Sequence, residues 1–186
     1  MRYILIAYCL FFLTACSNDI SEVKKILPSN NLKVEVAENI EMLYSDSAKV
    51  RVRIISPKLN RYNTNLETYD EFPEGLLVEF LNENQQVTSW LEADYAVRKD
   101  KDSKIYVEDN VVLYNKRNEK LFTEELVWDE AKEEVYTNKA IKITQPEIGD
   151  TSFGFGFRAD QEFTRFEINR SFSAIKTVDE LTKSIK

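Results

Sequence analysis

Apolar and polar residues alternate along most of the chain after residue 32. The clearest example interleaves apolar with basic residues, in the order Ala48, Lys49, Val50, Arg51, Val52, Arg53 and Ile54. A period of two is typical of a strand that buries one face. Polar turns recur at a spacing of roughly 8–12 residues, so the pattern predicts about ten to twelve strands and an all-β sandwich or barrel-like roll.

The segment 90–143 nearly repeats itself. Similar residues recur 30 positions apart in the pairs Leu91 and Leu121, Ala93 and Thr123, Tyr106 and Tyr136, Val111 and Ile141, and Leu113 and Ile143. Each unit contains a strand, a charged turn and a second strand, so the units are expected to stack as one continuous antiparallel sheet. Two bulges are predicted, one at Asp109 and Asn110 and one at Glu124 and Glu125.

The apolar residues of these strands are predicted to share one inner face. An open sheet can offer such a face to a lipid, since burial of an acyl chain contributes about 0.8 kcal/mol per methylene. The alternative is a closed core that packs on itself, because periodicity identifies a face and not what covers it. The predicted lining consists of Val50, Val52, Ile54, Val78, Phe80, Leu91, Tyr95, Val107, Val111, Leu113, Leu121, Leu126, Trp128, Ile141, Ile143, Phe155, Phe157 and Phe166.

Aromatic residues and glycines alternate near the end of the sheet. Phe153, Phe155 and Phe157 are separated by Gly154 and Gly156. Glycines at these positions indicate a bend or a close backbone approach. Both lipid contact and an ordinary core fit the three aromatic side chains.

The two ends of the chain are expected to lie outside the sheet. Residues 1–15 read as a signal peptide, whose apolar run is shorter than the ~20 residues that span a bilayer. The sequence Leu13, Thr14, Ala15 and Cys16 resembles the lipobox of bacterial lipoproteins, so Cys16 is expected to carry acyl chains. Residues 16–33 then form the lipidated tether, residues 34–170 the β-domain and residues 171–186 a tail with a candidate helix at 177–186.

Composition excludes several classes of function. The chain has no histidine, which removes imidazole catalysis and common zinc sites, and no metal or other cofactor is expected. Removal of residues 1–15 would leave Cys16 as the single cysteine, with no partner for a disulfide. The net charge is −7, which does not favour nucleic acid.

Two groups of charged residues permit alternative interpretations. Lys49, Arg51 and Arg53 form a basic row that would suit lipid phosphates or would simply be a solvated strand face. The aspartates Asp94, Asp129 and Asp160 would suit a glycosidase, which uses paired carboxylates. Each aspartate follows a strand at a turn, where Asp commonly accepts hydrogen bonds from nearby amides. The enzymatic interpretation is therefore disfavoured.

Six segments in order resemble the LptC family of lipopolysaccharide export proteins, over roughly residues 40–168. They are YSDS at 44–47, YDEFPEG at 69–75, LEADYA at 91–96, NVVLYN at 110–115, LFTEELVWD at 121–129 and GFGFRAD at 154–160. The chain departs from the family in two places. A lipobox replaces the transmembrane helix of many members, and Asn118 precedes Glu119 where the family often has glycine, a conservative change in a turn.

The resemblance implies an open V-shaped β-jellyroll of antiparallel hairpins that catalyses nothing. It implies that lipopolysaccharide passes along the apolar groove from an inner-membrane ABC transporter to a soluble periplasmic carrier of similar fold. The first strand (Val34 to Ile40, or Lys49 to Ile54) would meet the transporter, and the last strand (Phe163 to Ile168) the carrier. The expected location is the periplasm, with a lipid anchor in a membrane, the inner membrane being favoured. The alternative function is an envelope scaffold without a ligand.

Overall fold

The computed structural model describes residues 33–64 and 66–172. These residues form eleven β-strands in one antiparallel sheet, together with a short 3-10 turn at Asp100–Asp102. The all-β prediction is confirmed, and the strand number lies within the predicted range. The strands are β1 (Lys33–Asp46), β2 (Lys49–Asn63), β3 (Thr68–Phe72), β4 (Leu76–Leu81), β5 (Val87–Ala93), β6 (Tyr95–Lys99), β7 (Lys104–Asn115), β8 (Lys120–Asp129), β9 (Glu134–Gln145), β10 (Asp150–Asp160) and β11 (Phe166–Phe172).

The described sheet begins at β1 and ends at β11. Strand β1 pairs with β2 along its length, and β2 then pairs with β4 through its first half and with β3 through its second half. The pairs β4–β5 and β3–β6 continue side by side until both β5 and β6 join the long strand β7. Strands β8 to β11 follow in sequence order. Within the described residues, the sheet thus has two edge strands, β1 and β11, which are far apart in sequence.

The observed edge strands can be compared with the segments that were predicted to meet the partner proteins. The segment from Lys49 to Ile54 lies in β2, which has a neighbour on both sides, so only the earlier segment, in β1, is at the edge. The last strand begins at Phe166, and Phe163 lies in the preceding turn. Asp109 and Asn110 of β7 form the predicted bulge, and both residues have a positive φ.

A line of irregular positions, which we call the bend line, crosses the sheet from β1 to β10. Most of these irregularities are bulges or breaks between strands, and bulges bend a sheet locally. At Asn39 and Pro57 the two strands continue in register, but Asn39 has a positive φ. The register of the pairing shifts at this level in β7, β8, β9 and β10. The bend line comprises Asn39, Pro57, Gly75, Asp94, Asp109, Asn110, Glu124, Glu125, the exposed segment 138–140 of β9, and Gly156.

At the bend line the sheet bends toward its inner face, so that residues on both sides of the bend can pack together. Gly75 illustrates the close packing at the bend, since a Cβ there would lie 2.6 Å from the carbonyl oxygen of Ala93. Its φ of +82° also suits glycine. Residues from both sides of the bend then bury one continuous apolar cluster that includes Ile54, Phe72 and Leu113.

Several predictions fall on residues that are not described. The signal peptide, Cys16, the tether up to residue 32 and the candidate helix at 177–186 all lie outside the described residues. Within residues 33–64 and 66–172, no helix is both long and apolar enough to cross a membrane.

Candidate functional site

The inner face of the sheet is the candidate site, and most of its predicted lining residues are buried there. Those with at most 4% exposure are Val52, Ile54, Val78, Phe80, Leu91, Val107, Val111, Leu113, Leu121, Leu126, Trp128, Ile141, Ile143 and Phe157. Val50 and Phe166 are half-buried. The described side chains of this face pack on one another, as in the edge-to-face contact of Phe80 with Trp128 at a centroid distance of 5.1 Å.

Two predicted lining residues lie elsewhere, because the alternation changes face at the bend line. Tyr95 follows the break at Asp94, so Ala96 takes the buried position and the Tyr95 hydroxyl donates to Glu71 Oε1 at 3.0 Å. Phe155 precedes the bulge at Gly156, and it is 50% exposed while Phe157 is 1% exposed. Gly156 has a φ of +73°, which explains why glycine occupies this bulge.

The interior also contains residues that the alternation did not assign to the lining. Leu59, Phe72, Leu76, Ala93, Ala96, Ile105, Val135, Ala159 and Phe163 are buried. Most continue the period-two pattern of their strands, so pattern alone would have found them. Phe163 is different, since it lies in a turn and has a positive φ of 51°. No periodic signal marks it.

The turn between β10 and β11, residues 161–165, reaches the interior and is called the inner turn. The Ser89 hydroxyl of β5 donates to the Gln161 carbonyl oxygen at 2.6 Å, and Trp128 Nε1 donates to Gln161 Oε1 at 3.2 Å. The Asn115 side chain of β7 donates to the Phe163 carbonyl oxygen at 2.8 Å. Phe163 is fully buried against Phe157, with ring centroids 5.8 Å apart. The inner turn therefore fills part of the inner face with groups that belong to no strand.

Charged residues surround one end of the interior. Asp70 is fully buried and accepts two hydrogen bonds from Arg61, at 2.7 and 2.8 Å. Hydrogen bonding to Asp70 raises the pKa of Arg61, so the guanidinium stays charged. Arg98 donates to Glu130 at 2.8 Å and also contacts Asp100. Burial alone would lower the pKa of Arg98, but the hydrogen bond to Glu130 and the surrounding negative charge raise it overall.

The basic row of β2 is only partly available to a ligand. Arg53 donates to Glu79 Oε2 at 2.6 Å and approaches Glu41 Oε1 at 3.6 Å, so its charge is already matched. Lys49 is exposed and Arg51 is half-buried. Within the described residues, neither Lys49 nor Arg51 forms an ion pair.

The three aspartates act in turns. Asp129 Oδ1 accepts from the Lys132 amide at 3.2 Å, and Asp160 accepts from the amides of Thr164 and Arg165. Asp94 Oδ2 accepts from the Asn110 side chain at 2.6 Å. Each of the three carboxylates thus has a structural role as a hydrogen-bond acceptor. Among residues 33–64 and 66–172, no group of three or more His, Cys, Asp or Glu side chains is placed to hold a metal ion.

The two edge strands differ in length and character. Strand β1 is twice as long as β11 and exposes Val34, Val36 and Leu43. Its inward residues Ile40, Met42 and Tyr44 are only partly buried against the core, as are Phe166 and Ile168 of β11. An exposed edge with apolar side chains is a template for another strand unless charges or bulges protect it.

Comparison with models of protein families gave a match. The model of a family described as "Lipopolysaccharide-assembly, LptC-related" matches residues 3–174. No curated protein matched the chain.

Proposed function

The chain belongs to the LptC family and acts in lipopolysaccharide transport, and we propose that its inner face carries the lipid through the periplasm. In this proposal the chain accepts lipopolysaccharide from an inner-membrane ABC transporter and passes it to a soluble carrier of similar fold. The observation that carries the proposal is one apolar inner face that runs between two edge strands, β1 and β11. Cys16 would hold the protein at the membrane through its acyl chains.

The inner face offers enough affinity for an acyl chain. Each buried methylene contributes about 0.8 kcal/mol, so a few methylenes already exceed thermal energy. Aliphatic and aromatic surfaces impose no fixed hydrogen-bond geometry, so adjacent carriers can hold the chain on similar terms. This property favours transfer from one carrier to the next.

Space for the lipid must come from groups that pack on the inner face now. The residues of β1 and β11 that are only partly buried, such as Met42 and Ile168, flank the core and can separate at low cost. The inner turn is held by side chains of β5, β7 and β8 and by the Gln161 amide, which donates to the Glu133 carbonyl oxygen at 2.9 Å. Movement of the turn would break these contacts but no pairing between strands. The acyl chain would replace Phe163 against Phe157 and Phe166.

The order of the partners is taken by analogy with the family, and the two edge strands provide a place for each partner to pair. The transporter would extend the sheet at β1, and the carrier would extend it at β11. Photoreactive residues at Val36 of β1 and Glu167 of β11, both exposed, test this order. Val36 should yield adducts with the transporter and Glu167 adducts with the carrier. The opposite assignment would overturn the order.

A reconstituted system tests transport itself. Transporter vesicles that contain lipopolysaccharide are mixed with a chain that carries a photoreactive residue at Leu113, a fully buried inner position. Adducts with lipopolysaccharide should form only when ATP is supplied. A chain that binds the transporter but yields no such adduct at Leu113 would be a scaffold without a ligand, which is the alternative function.

A further inference from the structure

The outer face of the sheet carries an apolar groove across β7 to β10, which we call the outer groove. Phe122 of β8 and Phe153 of β10 border it, and their side chains are 36% and 42% exposed. The small residue Ala140 of β9 lies between these two strands, and the groove has a volume of about 470 Å³. Large apolar side chains that are exposed next to one another are typical of a surface that binds another segment.

The surroundings of the outer groove differ in charge from one end to the other. Lys142 of β9 lines the groove itself. Toward the bend line the groove adjoins a hollow, called the acidic hollow, which is lined by Asp94, Glu108, Asp109, Asn110, Glu124 and Glu125. Within the described residues, Lys139 pairs with Glu125 at 2.8 Å, and no cation forms an ion pair with the other four carboxylates. The acidic hollow therefore suits a positively charged group.

The segment 173–186 follows β11 and lies outside the described residues. Thr177 and Glu180 have the spacing of a capping box, which predicts that a helix begins at this threonine. Within that helix the apolar residues Val178, Leu181 and Ile185 share one face. The predicted helix is amphipathic, so it needs an apolar surface against which to pack.

The charges of the predicted helix are separated along its axis. Asp179 and Glu180 lie in its first turn, and Lys183 and Lys186 lie in its last turn. This order stabilises a helix by itself, because it matches the helix dipole. It also gives the helix a basic end that can approach carboxylates.

Strand β11 brings this segment to the border of the outer groove. Phe172, the last residue of β11, pairs in register with Phe153. Four strand spacings separate β11 from β7, a distance of about 19 Å. Residues 173–176 can span up to about 13 Å when extended, and a helix over residues 177–186 is about 15 Å long. The segment is therefore long enough to cross the outer groove and reach the acidic hollow.

We propose that residues 177–186 form a helix that packs in the outer groove of the same chain, with its basic end at the acidic hollow. The apolar face of the helix contacts Phe122 and Phe153, and the carboxylates of its first turn lie on the side of Lys142. The helix would cover an apolar surface of the outer face, which would then not compete with the inner face for lipid. The inference does not depend on the proposed function.

Photocrosslinking in cells tests this contact. A photoreactive phenylalanine analogue replaces Phe122 in the full chain, and the adducts are purified under denaturing conditions and mapped by peptide mass. Adducts with residues 177–186 should form and should migrate at the mass of a single chain. The same analogue at Leu43, an exposed position on β1, should form no such adducts.

Two substitutions that add the same charge to the helix separate packing in the groove from general effects. Leu181→Asp removes an apolar side chain from the contact face and should lower the yield of adducts at least about tenfold. Ser184→Asp lies away from that face and should change the yield by less than about twofold. Equal losses in the two variants would overturn the inference.

A second pair of substitutions tests the direction of the helix. Lys186→Glu places a carboxylate at the acidic hollow, so repulsion should lower the yield of adducts at Phe122. Lys176→Glu makes the same change of charge before the helix begins and should have a smaller effect. An equal or larger effect of Lys176→Glu would overturn the proposed direction.

The origin of the adducts identifies what occupies the outer groove. Absence of adducts with residues 177–186, or equal yields from Phe122 and Leu43, would overturn the inference. Adducts between two copies of the chain, or with another protein in place of this segment, would also overturn it. None of these results requires lipopolysaccharide, so the proposed function stands or falls separately.

Discussion

The inner and outer faces of the same sheet contain similar residues in different surroundings. On the inner face, aromatic side chains such as Phe80 and Phe157 contact other apolar groups and exclude water. On the outer face, cations cover the aromatic rings. Lys142 lies 5.6 Å from the Phe122 ring centroid, and Arg158 lies 5.2 Å from that of Tyr136.

Aromatic content alone therefore does not identify a lipid-binding face. The outer rings can remain partly exposed because a nearby ammonium or guanidinium group interacts with the ring and keeps water and charge at the surface. Phe80 and Phe157 of the inner face are instead buried among apolar side chains. Five changes can test or sharpen the contrast between the faces.

The largest effect is expected from truncation of an inner side chain. Leu113→Ala should lower the free energy of unfolding by about 2–5 kcal/mol, because it leaves a cavity in a fully packed cluster. Val112→Ala, at the adjacent outward position, should cost less than about 1 kcal/mol. Urea unfolding of both variants measures the difference, and similar costs would contradict the assignment of the two faces.

The next effect concerns the bulge that moves Phe155 outward. Gly156→Ala places a Cβ 2.5 Å from the Asn169 side chain at a φ of +73°, so it should cost at least about 1–2 kcal/mol. Gly149→Ala has a similar φ of +69° but no atom within 4 Å of the new Cβ, so it should cost less. Thermal unfolding compares the two variants. Equal losses would mean that the contact with Asn169 is not what requires glycine.

The bend line also explains how far the sequence predicts the fold. In β8 the bulge was predicted from Glu124 and Glu125, and Leu126 and Trp128 do face inward. In β7 the bulge leaves Val107 and Val111 on the same face, so simple alternation sufficed. At Asp94 and Gly156 the face changes without a sequence signal that fixes the register, and Tyr95 and Phe155 were misplaced for that reason.

The sequence predicted the strand residues of the candidate site but not its inner turn. Period-two strands identified most of the buried lining, because most inner strand positions are apolar. The inner turn was not predicted, because residues distant in sequence hold it in the interior. Ser89 and Trp128 donate to Gln161, and Asn115 donates to the Phe163 carbonyl oxygen. Such contacts depend on how the sheet bends and leave no local pattern.

A smaller effect is expected from removal of an outer cation. Lys142→Gln exposes the Phe122 ring and should cost about 0.5–1 kcal/mol. Lys116→Gln, an exposed lysine in a turn, should change stability by less than that. Denaturant unfolding at low salt measures both variants. A larger loss at Lys116 would mean that the cation–π contact does not support the outer face.

The smallest effect concerns a carboxylate on the outer face. Hydrogen bonds from Asn60, Tyr62 and Tyr95 to Glu71 lower its pKa, with that from Asn60 the largest. Its contribution to stability should therefore be present above the unfolded pKa of about 4.3 and fade as the pH falls through the lower folded value.

Glu71→Gln checks this expectation. Wild type and variant should differ in the free energy of unfolding at about pH 7 and converge at about pH 3. A difference that stays constant across this range would show that the ionised form of Glu71 is not what stabilises the fold.

The most direct test of the central claim compares two phenylalanines on one strand. A photoreactive phenylalanine analogue is placed at Phe157, on the inner face, or at Phe155, on the outer face, in cells that export lipopolysaccharide. Lipopolysaccharide adducts are expected at position 157 and few or none at position 155. Adducts at 155 that equal or exceed those at 157 would contradict the claim that the inner face carries the lipid.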